Sequence, residues 1–272
     1  MKTIKMILIF LIFCLSDVSA QDKVFSTALN KGEKVSYDLN FKWGLLMMRA
    51  GEATFTYNSN QSVPGATSRY RLTFKSTKFF DGIFKMRDTL DCYFNDDYKL
   101  IYSRKGSDEG GYYLIDELWL NHGANSTQVR SKRYTPTALK IDTIMTATGE
   151  VVDMLGGIFL LRGIDRTKLK SGDKFPITVA IGRDLVKMTF IYQNQAIVER
   201  DNVKYNTRYF KIDIYDEAFE SSKTSAEVWV GDDDNFLPIK VRSKLKLGYA
   251  EAYYKDSSGL KNPLSCRIEV GK

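Results

Sequence analysis

From Glu33 onward the chain alternates without a break: Val35, Tyr37, Leu39, Phe41 and Trp43 fall on one parity, and Lys34, Ser36, Asp38, Asn40 and Lys42 on the other. A strand turns successive side chains to opposite faces, whereas a helix repeats every 3.6 residues, so this run buries one face only if it is extended. The pattern returns at Ala53/Phe55/Tyr57, at Tyr70/Leu72/Phe74, at Leu90/Cys92/Phe94, at Tyr113/Ile115 with Trp119 beyond, and at Phe210/Ile212/Ile214. It continues through Val228 and Val230 around Trp229, through Ile239/Val241/Ser243, and over 249–254 and 264–270. Asn58-Ser59-Asn60, Asn95-Asp96-Asp97, Gly110-Gly111, Gly231-Asp232 and Ser257-Ser258-Gly259 are turn signals between these runs. About a dozen strands, aromatic on one face, polar on the other and joined by short connections, predict a mainly β fold. The expected architecture is an antiparallel, strongly curved sheet forming a closed or half-open barrel around its apolar face. An outer-membrane barrel is disfavoured by the non-aromatic chain end Glu269-Val270-Gly271-Lys272 and by uneven strand lengths.

One segment breaks the alternation. Residues 153–162 are apolar nearly all round, begin with Asp153, end with Arg162 and stop at Gly163. Acid first and base last suit the helix dipole, so a short buried helix is expected here, laid against the concave face of the sheet. Gly32-Glu33-Lys34-Val35 leading to Thr54-Phe55-Thr56-Tyr57 is echoed by Gly172-Asp173-Lys174-Phe175 leading to Thr189-Phe190-Ile191-Tyr192. The echo suggests two related sets of hairpins.

The first twenty residues read as an export signal: Lys2 and Lys5, an apolar run at 6–15, and Val18-Ser19-Ala20 before a cleavage point at Gln21. The run is too short for the roughly 20 residues a spanning helix needs, and no later stretch qualifies, so no transmembrane span is expected. Leu11-Ile12-Phe13 before Cys14 lacks the small residue a lipid-anchor signal requires. The remainder, 21–272, is read as a single β-barrel-like domain. In an oxidising compartment Cys92 and Cys266 are free to pair or to remain as buried thiols, and the sequence leaves both open.

The residues also resemble a known family, the secreted bacterial proteins grouped as domain of unknown function 3108. The resemblance runs over roughly residues 32–248 and rests on Gly32-Glu33, Trp43-Gly44, Ala50-Gly51-Glu52-Ala53, Phe80-Asp81 followed by Arg87-Asp88, Val152-Asp153-Met154-Leu155 leading to Leu161-Arg162, and Trp229 with Asp233 and Leu237-Pro238. It implies a periplasmic or surface-facing β domain without assigned activity, similar to the open-barrel carriers that move lipids and lipoproteins through the bacterial envelope.

Catalytic chemistry finds little support. The one histidine, His122, sits in a turn-like Asn121-His122-Gly123 with no nucleophile motif around it, and reads as a surface residue. No glycine-rich loop runs from a strand into a helix, so no nucleotide cofactor is expected. Three cysteines and one histidine leave no metal cluster, and Asp232-Asp233-Asp234-Asn235 reads as a solvated hairpin turn. Lys240, Arg242, Lys244 and Lys246 share one strand face and read as a solvated outer surface, the alternative being contact with anionic lipid head groups or phosphorylated envelope polymers. The formal charge of +7 does not point to nucleic acid in an exported protein.

The candidate site lies instead in apolar runs where connections are expected. Leu45-Leu46-Met47-Met48 follows the first strand and Phe79-Phe80-Asp81-Gly82-Ile83-Phe84 the third. Trp43, Leu46, Met47, Met48, Phe79, Phe80 and Phe84 are therefore expected to form a ligand-accepting mouth, unless they cap the barrel as core; Arg87, Asp88, Asp153 and Arg162 are candidate polar anchors or structural ion pairs. The reading is a non-enzymatic envelope protein, exported to the periplasm and peripheral to a membrane if it touches one, that binds a lipid or other amphiphile without a cofactor. Two other readings stay open: a scaffold acting through an envelope protein partner, and a carbohydrate-active hydrolase using paired carboxylates.

Overall fold

The computed structural model describes residues 24–268, apart from 61, 83, 217–220 and 246–247, and turns the alternating segments into strands of one sheet. The export-type segment at 1–20, Lys246 and the chain end at 269–272 lie outside the described residues. In the first half, a helical turn at 24–28 (α1) precedes β1 (Glu33–Trp43), β2 (Leu46–Ser59), β3 (Ser68–Ser76), the short helix α2 (Lys78–Asp81), β4 (Met86–Phe94), β5 (Leu100–Glu109), β6 (Tyr112–His122), β7 (Ser126–Thr135) and β8 (Ala138–Thr148). The second half holds β9 (Val151–Val152), α3 (Met154–Leu161), a 3-10 turn (Arg166–Lys168), β10 (Lys174–Ile181), β11 (Asp184–Arg200), β12 (Val203–Asp216), β13 (Ser221–Gly231), β14 (Pro238–Lys244), β15 (Tyr249–Ser258) and β16 (Arg267–Ile268).

Each half is a meander of antiparallel hairpins, and β1 pairing with β15 joins the two. The spatial order is β8-β7-β6-β5-β4-β3-β2-β1-β15-β14-β13-β12-β11-β10-β9, with β9 parallel to β10 and β16 added to β12. Register shifts, such as those at Ser36/Tyr37 and Leu39/Asn40 in β1, bend the strands beyond their natural right-handed twist. The sheet curls until its two ends meet. Arg183, in the turn after β10, donates to the carbonyl of Lys140 on β8 at 3.3 Å. The result is a nearly closed barrel.

A barrel this wide is not filled by its own side chains, and α3 lies inside it. Asp153 caps the helix by accepting from the Gly156 amide at 2.6 Å, and Arg162 stands at the other end. Phe159 is fully buried at the centre, stacked on Phe94 at 4.0 Å and on Phe25 of α1 at 5.0 Å, with Tyr57 and Tyr70 around it. Gly156 allows this approach: a Cβ there would lie 2.9 Å from that of Val152. Arg162 is wholly buried, pairs with Glu33, and donates to the carbonyls of Asn235 (3.1 Å) and Ala28 (2.8 Å).

Several expectations need correction. In β6 the inward parity is that of Leu118 and Leu120; Ile115 on the opposite parity is buried as expected, but Tyr113 and Trp119 are exposed, and Trp119 packs outside on Tyr102 with Lys132 over its ring. His122 ends β6 half-buried between Thr127 Oγ1 (2.9 Å) and the carbonyl of Leu100 (2.6 Å), which is no surface turn. The turn after β13 is not solvated either: Asp233 is buried and accepts from the amides of Asn235 and Cys266, while Asp232 pairs with Arg208 and Arg166. On the outer face of β14, Lys240 and Arg242 lie over Trp229 and beside Glu251, so they are engaged rather than merely solvated. Cys92 and Cys266 are both buried and free, in separate clusters.

Candidate functional site

A chamber of about 340 Å³ lies between α3 and the inner wall formed by β1–β4, β14 and β15. The alternation of each strand builds it: Tyr37 and Leu39 of β1, Ala53 and Phe55 of β2, and Leu72 and Phe74 of β3 carry the inward parity, and Ile158 closes the space from the helix. Val241 and Ala252 complete the wall on the other side of β1. The lining is almost wholly apolar except at Asp88 and Lys105. Asp88 shares the parity of Leu90, Cys92 and Phe94 and therefore points inward from β4; Lys105 stands opposite Leu90 on β5. Their charged groups are 3.9 Å apart. Burial raises the pKa of Asp88 above the ordinary carboxylate value, against the pull of Lys105.

On the far side of Leu90 and Lys105 is a second chamber of about 200 Å³, lined by Ser103, Asp116, Ser131 and Arg133 and reaching Gly182 at the seam of the barrel. Asp116 accepts from Arg133 at 2.6 Å. A cleft of about 380 Å³ between Val24, Arg166 and Asp234 is a different kind of space, ringed by charged residues.

Of the residues expected at a mouth, those with described side chains are exposed to differing degrees and not core. Leu46–Met48 are the first residues of β2, not a connection, and the turn is Gly44-Leu45. Leu45 is fully exposed, Leu46 and Met47 about half, and Met48 is half-buried. Trp43 ends β1 in register with Leu46; its side chain lies outside the description. Phe79 and Phe80 belong to α2, which Thr77 caps, and Phe79 and Phe84 are exposed. The tip of β1–β2 neighbours α2 through the Thr77 amide on Ala50, and the β3–β4 segment meets the β5–β6 turn through the Gly110 amide on Lys85. These tips therefore form one apolar rim at one end of the barrel.

The polar candidates separate. Asp88 alone enters the large chamber. Arg87 faces away and pairs with Asp81 at 2.6 Å beside Ser76, fixing the β3–β4 crossing; this pair holds the Asp81 carboxyl down at about 2. Asp153 lines the smaller chamber but is occupied as the helix cap and by the thiol of Cys92 at 3.0 Å. Arg162 is locked in the core with Glu33. Sequence reading did not find Lys105, Ser131, Asp116 or Arg133. For Asp88 the signal was present, because a charge on the apolar parity of a strand is out of place unless it has a task.

The model of one family, described as protein of unknown function (DUF3108), matches residues 36–255, which span the barrel from β1 to β15. The chain belongs to this family. Comparison with curated proteins gives no match. Among solved structures, this DUF3108 protein is similar to a beta-barrel-like protein of domain of unknown function DUF1849 from Brucella abortus, with 11% identity and a TM-score of 0.53 over 84% of this chain and 97% of that one. At that identity the likeness concerns the fold. A candidate lipoprotein from Parabacteroides distasonis aligns over 84% of this chain and 96% of its own at 7% identity and a TM-score of 0.33. No helix among the described residues of the DUF3108 chain is long and apolar enough to cross a membrane.

Proposed function

We propose that the protein is a non-enzymatic component of the bacterial envelope, exported to the periplasm, that binds a hydrophobic or amphiphilic molecule such as a lipid inside its barrel. The observation that carries this reading is the apolar chamber of about 340 Å³ beside α3, with a single charged corner at Asp88 and Lys105. Pockets for small molecules have this character: apolar walls, few polar groups, and volumes of about 300–1,000 Å³. The exposed Leu45, Leu46, Met47, Phe79 and Phe84 supply an apolar lip for an incoming chain. The test is native mass spectrometry of residues 21–272, exported and purified without detergent, followed by extraction of bound material. Lipid is expected with the wild-type protein and not with Ala252→Phe, which fills the chamber. A clean polypeptide mass together with no uptake of added amphiphile overturns the reading.

A scaffold role has one observation in its favour. β8 stands at an end of the strand order, and its Leu139 and Ile144 are each 62% exposed. A protein crosslinked specifically through β8 in envelope extracts, with the chamber empty, would favour that role.

A further inference from the structure

The inner wall carries a row of charges that the apolar-ligand reading leaves unexplained. Asp88, Lys105, Asp116 and Arg133 come from the adjacent strands β4, β5, β6 and β7; Lys105 is in register with Asp116, and Asp116 with Arg133. The row alternates in sign and is neutral as a whole. One end of it is complete, since Arg133 donates to Asp116 at 2.6 Å. The other end is not. Asp88 is 8% exposed, and its Oδ1 has no hydrogen-bond partner among the described residues. The ammonium of Lys105 comes within 3.9 Å of Asp88 and 3.8 Å of Glu109, both beyond hydrogen-bond distance. In the chamber beyond Lys105, the Oγ of Ser131, 1% exposed, is likewise without a partner among the described residues.

Buried polar atoms are normally satisfied, and unsatisfied ones facing a cavity mark the place where a bound molecule completes them. We infer that the Asp88–Lys105 corner is a head-group site for an uncharged, hydroxyl-bearing amphiphile, such as a monoacylglycerol, whose chain occupies the apolar chamber. This inference rests on the proposed amphiphile binding and specifies its ligand. The chemistry selects the head. Asp88 Oδ1 needs a donor, the partly exposed Lys105 ammonium beside it can donate to an oxygen, and a hydroxyl serves both. A phosphate or carboxylate brings negative charge toward Asp88 and Glu109, and a carboxylate also has no hydrogen to give. A quaternary ammonium also lacks the donor and meets Lys105 and Arg133.

The experiment titrates delipidated protein, residues 21–272, with four probes sharing a twelve-carbon chain, each below its micelle concentration: monolauroylglycerol, laurate, dodecyl phosphate and dodecyltrimethylammonium. Monolauroylglycerol is expected to bind at least tenfold more tightly than the others. That preference should shrink several-fold in Asp88→Asn and in Lys105→Gln, whose folding is checked by circular dichroism. Equal binding of all four probes would overturn the head-group site and leave the chamber reading standing. Tightest binding of laurate or dodecyl phosphate would make Lys105 an anion anchor and also overturn it. No binding of any probe to the wild-type protein would remove both readings together.

Discussion

Arg162 and Glu33, 129 residues apart in the chain, meet inside the barrel with side chains 0% and 1% exposed. The pair ties the end of α3 to the first residue of β1, and through Asn235 and Ala28 it also holds the β13–β14 turn and α1. Burial opposes the charge on Arg162, but Glu33 more than compensates and raises its pKa. Removing one partner leaves an uncompensated charge in the core. Arg162→Met is expected to cost about 3–5 kcal/mol in urea denaturation, and the double change Glu33→Met with Arg162→Met markedly less than the sum of the two singles.

Phe159 anchors the inner helix to α1 and to β2, β3 and β4 in the first half of the sheet. Phe159→Ala is expected to destabilise by about 3–5 kcal/mol, because the stack with Phe94 and Phe25 cannot close over the void. A loss below 1 kcal/mol in chemical denaturation would mean that α3 does not sit as described.

Gly51 supports the wall of the chamber. A Cβ at this position would lie 2.5 Å from the carbonyl oxygen of Lys75 and 2.6 Å from the ring of Phe74. Gly51→Ala therefore pushes Phe74 toward the cavity, with an expected cost of about 1–3 kcal/mol in thermal or urea unfolding and weaker uptake of a twelve-carbon amphiphile.

Asp88 gives a pH dependence. Burial raises its folded-state pKa above that of the unfolded chain, so between the two values the folded state holds the proton more often. Its contribution is therefore most favourable below the unfolded value and is lost as pH rises through the folded one, because burial, aided by the repulsion of Glu109, outweighs Lys105 and the backbone hydrogen bond from Asp108. Asp88→Asn lacks this slope. The melting temperature of the variant is expected to gain on that of the wild type as pH increases from about 4 to 7, even as the variant loses binding; a constant difference across that range would contradict the assignment.

The two cysteines should be inert. Burial and the neighbouring Asp153 push the Cys92 thiol up, and burial with Asp233 does the same for Cys266, so neither supplies a thiolate at neutral pH. Alkylation followed by peptide mass spectrometry is expected to leave both unlabelled in the native protein and to label both in denaturant, without prior reduction.

Much of the architecture could be read from parity. Val35, Tyr37 and Leu39 point inward as their alternation requires, and the helix runs from Met154 to Leu161 between the Asp153 cap and Arg162. Parity misled where outward residues are large and aromatic: Trp119 and Tyr113 looked like a core face, yet on a barrel such side chains also stack on outer neighbours while their polar ends reach water. β5 hid its inward face because Ser103, Lys105 and Ser107 are as polar as the Arg104 and Asp108 that alternate with them.

Period-two patterning and one short apolar segment suffice for a curled antiparallel sheet with a helix in it, because both depend only on neighbours in the chain. Which inward residues share a chamber depends on the register of strands far apart in sequence. Ala252 lines the same space as Tyr37 and Phe55 because β15 closes onto β1, and Arg162 reaches Glu33 because α3 is threaded through the barrel. Those are long-range pairings, set by how the whole sheet curls, and no local stretch of sequence contains them.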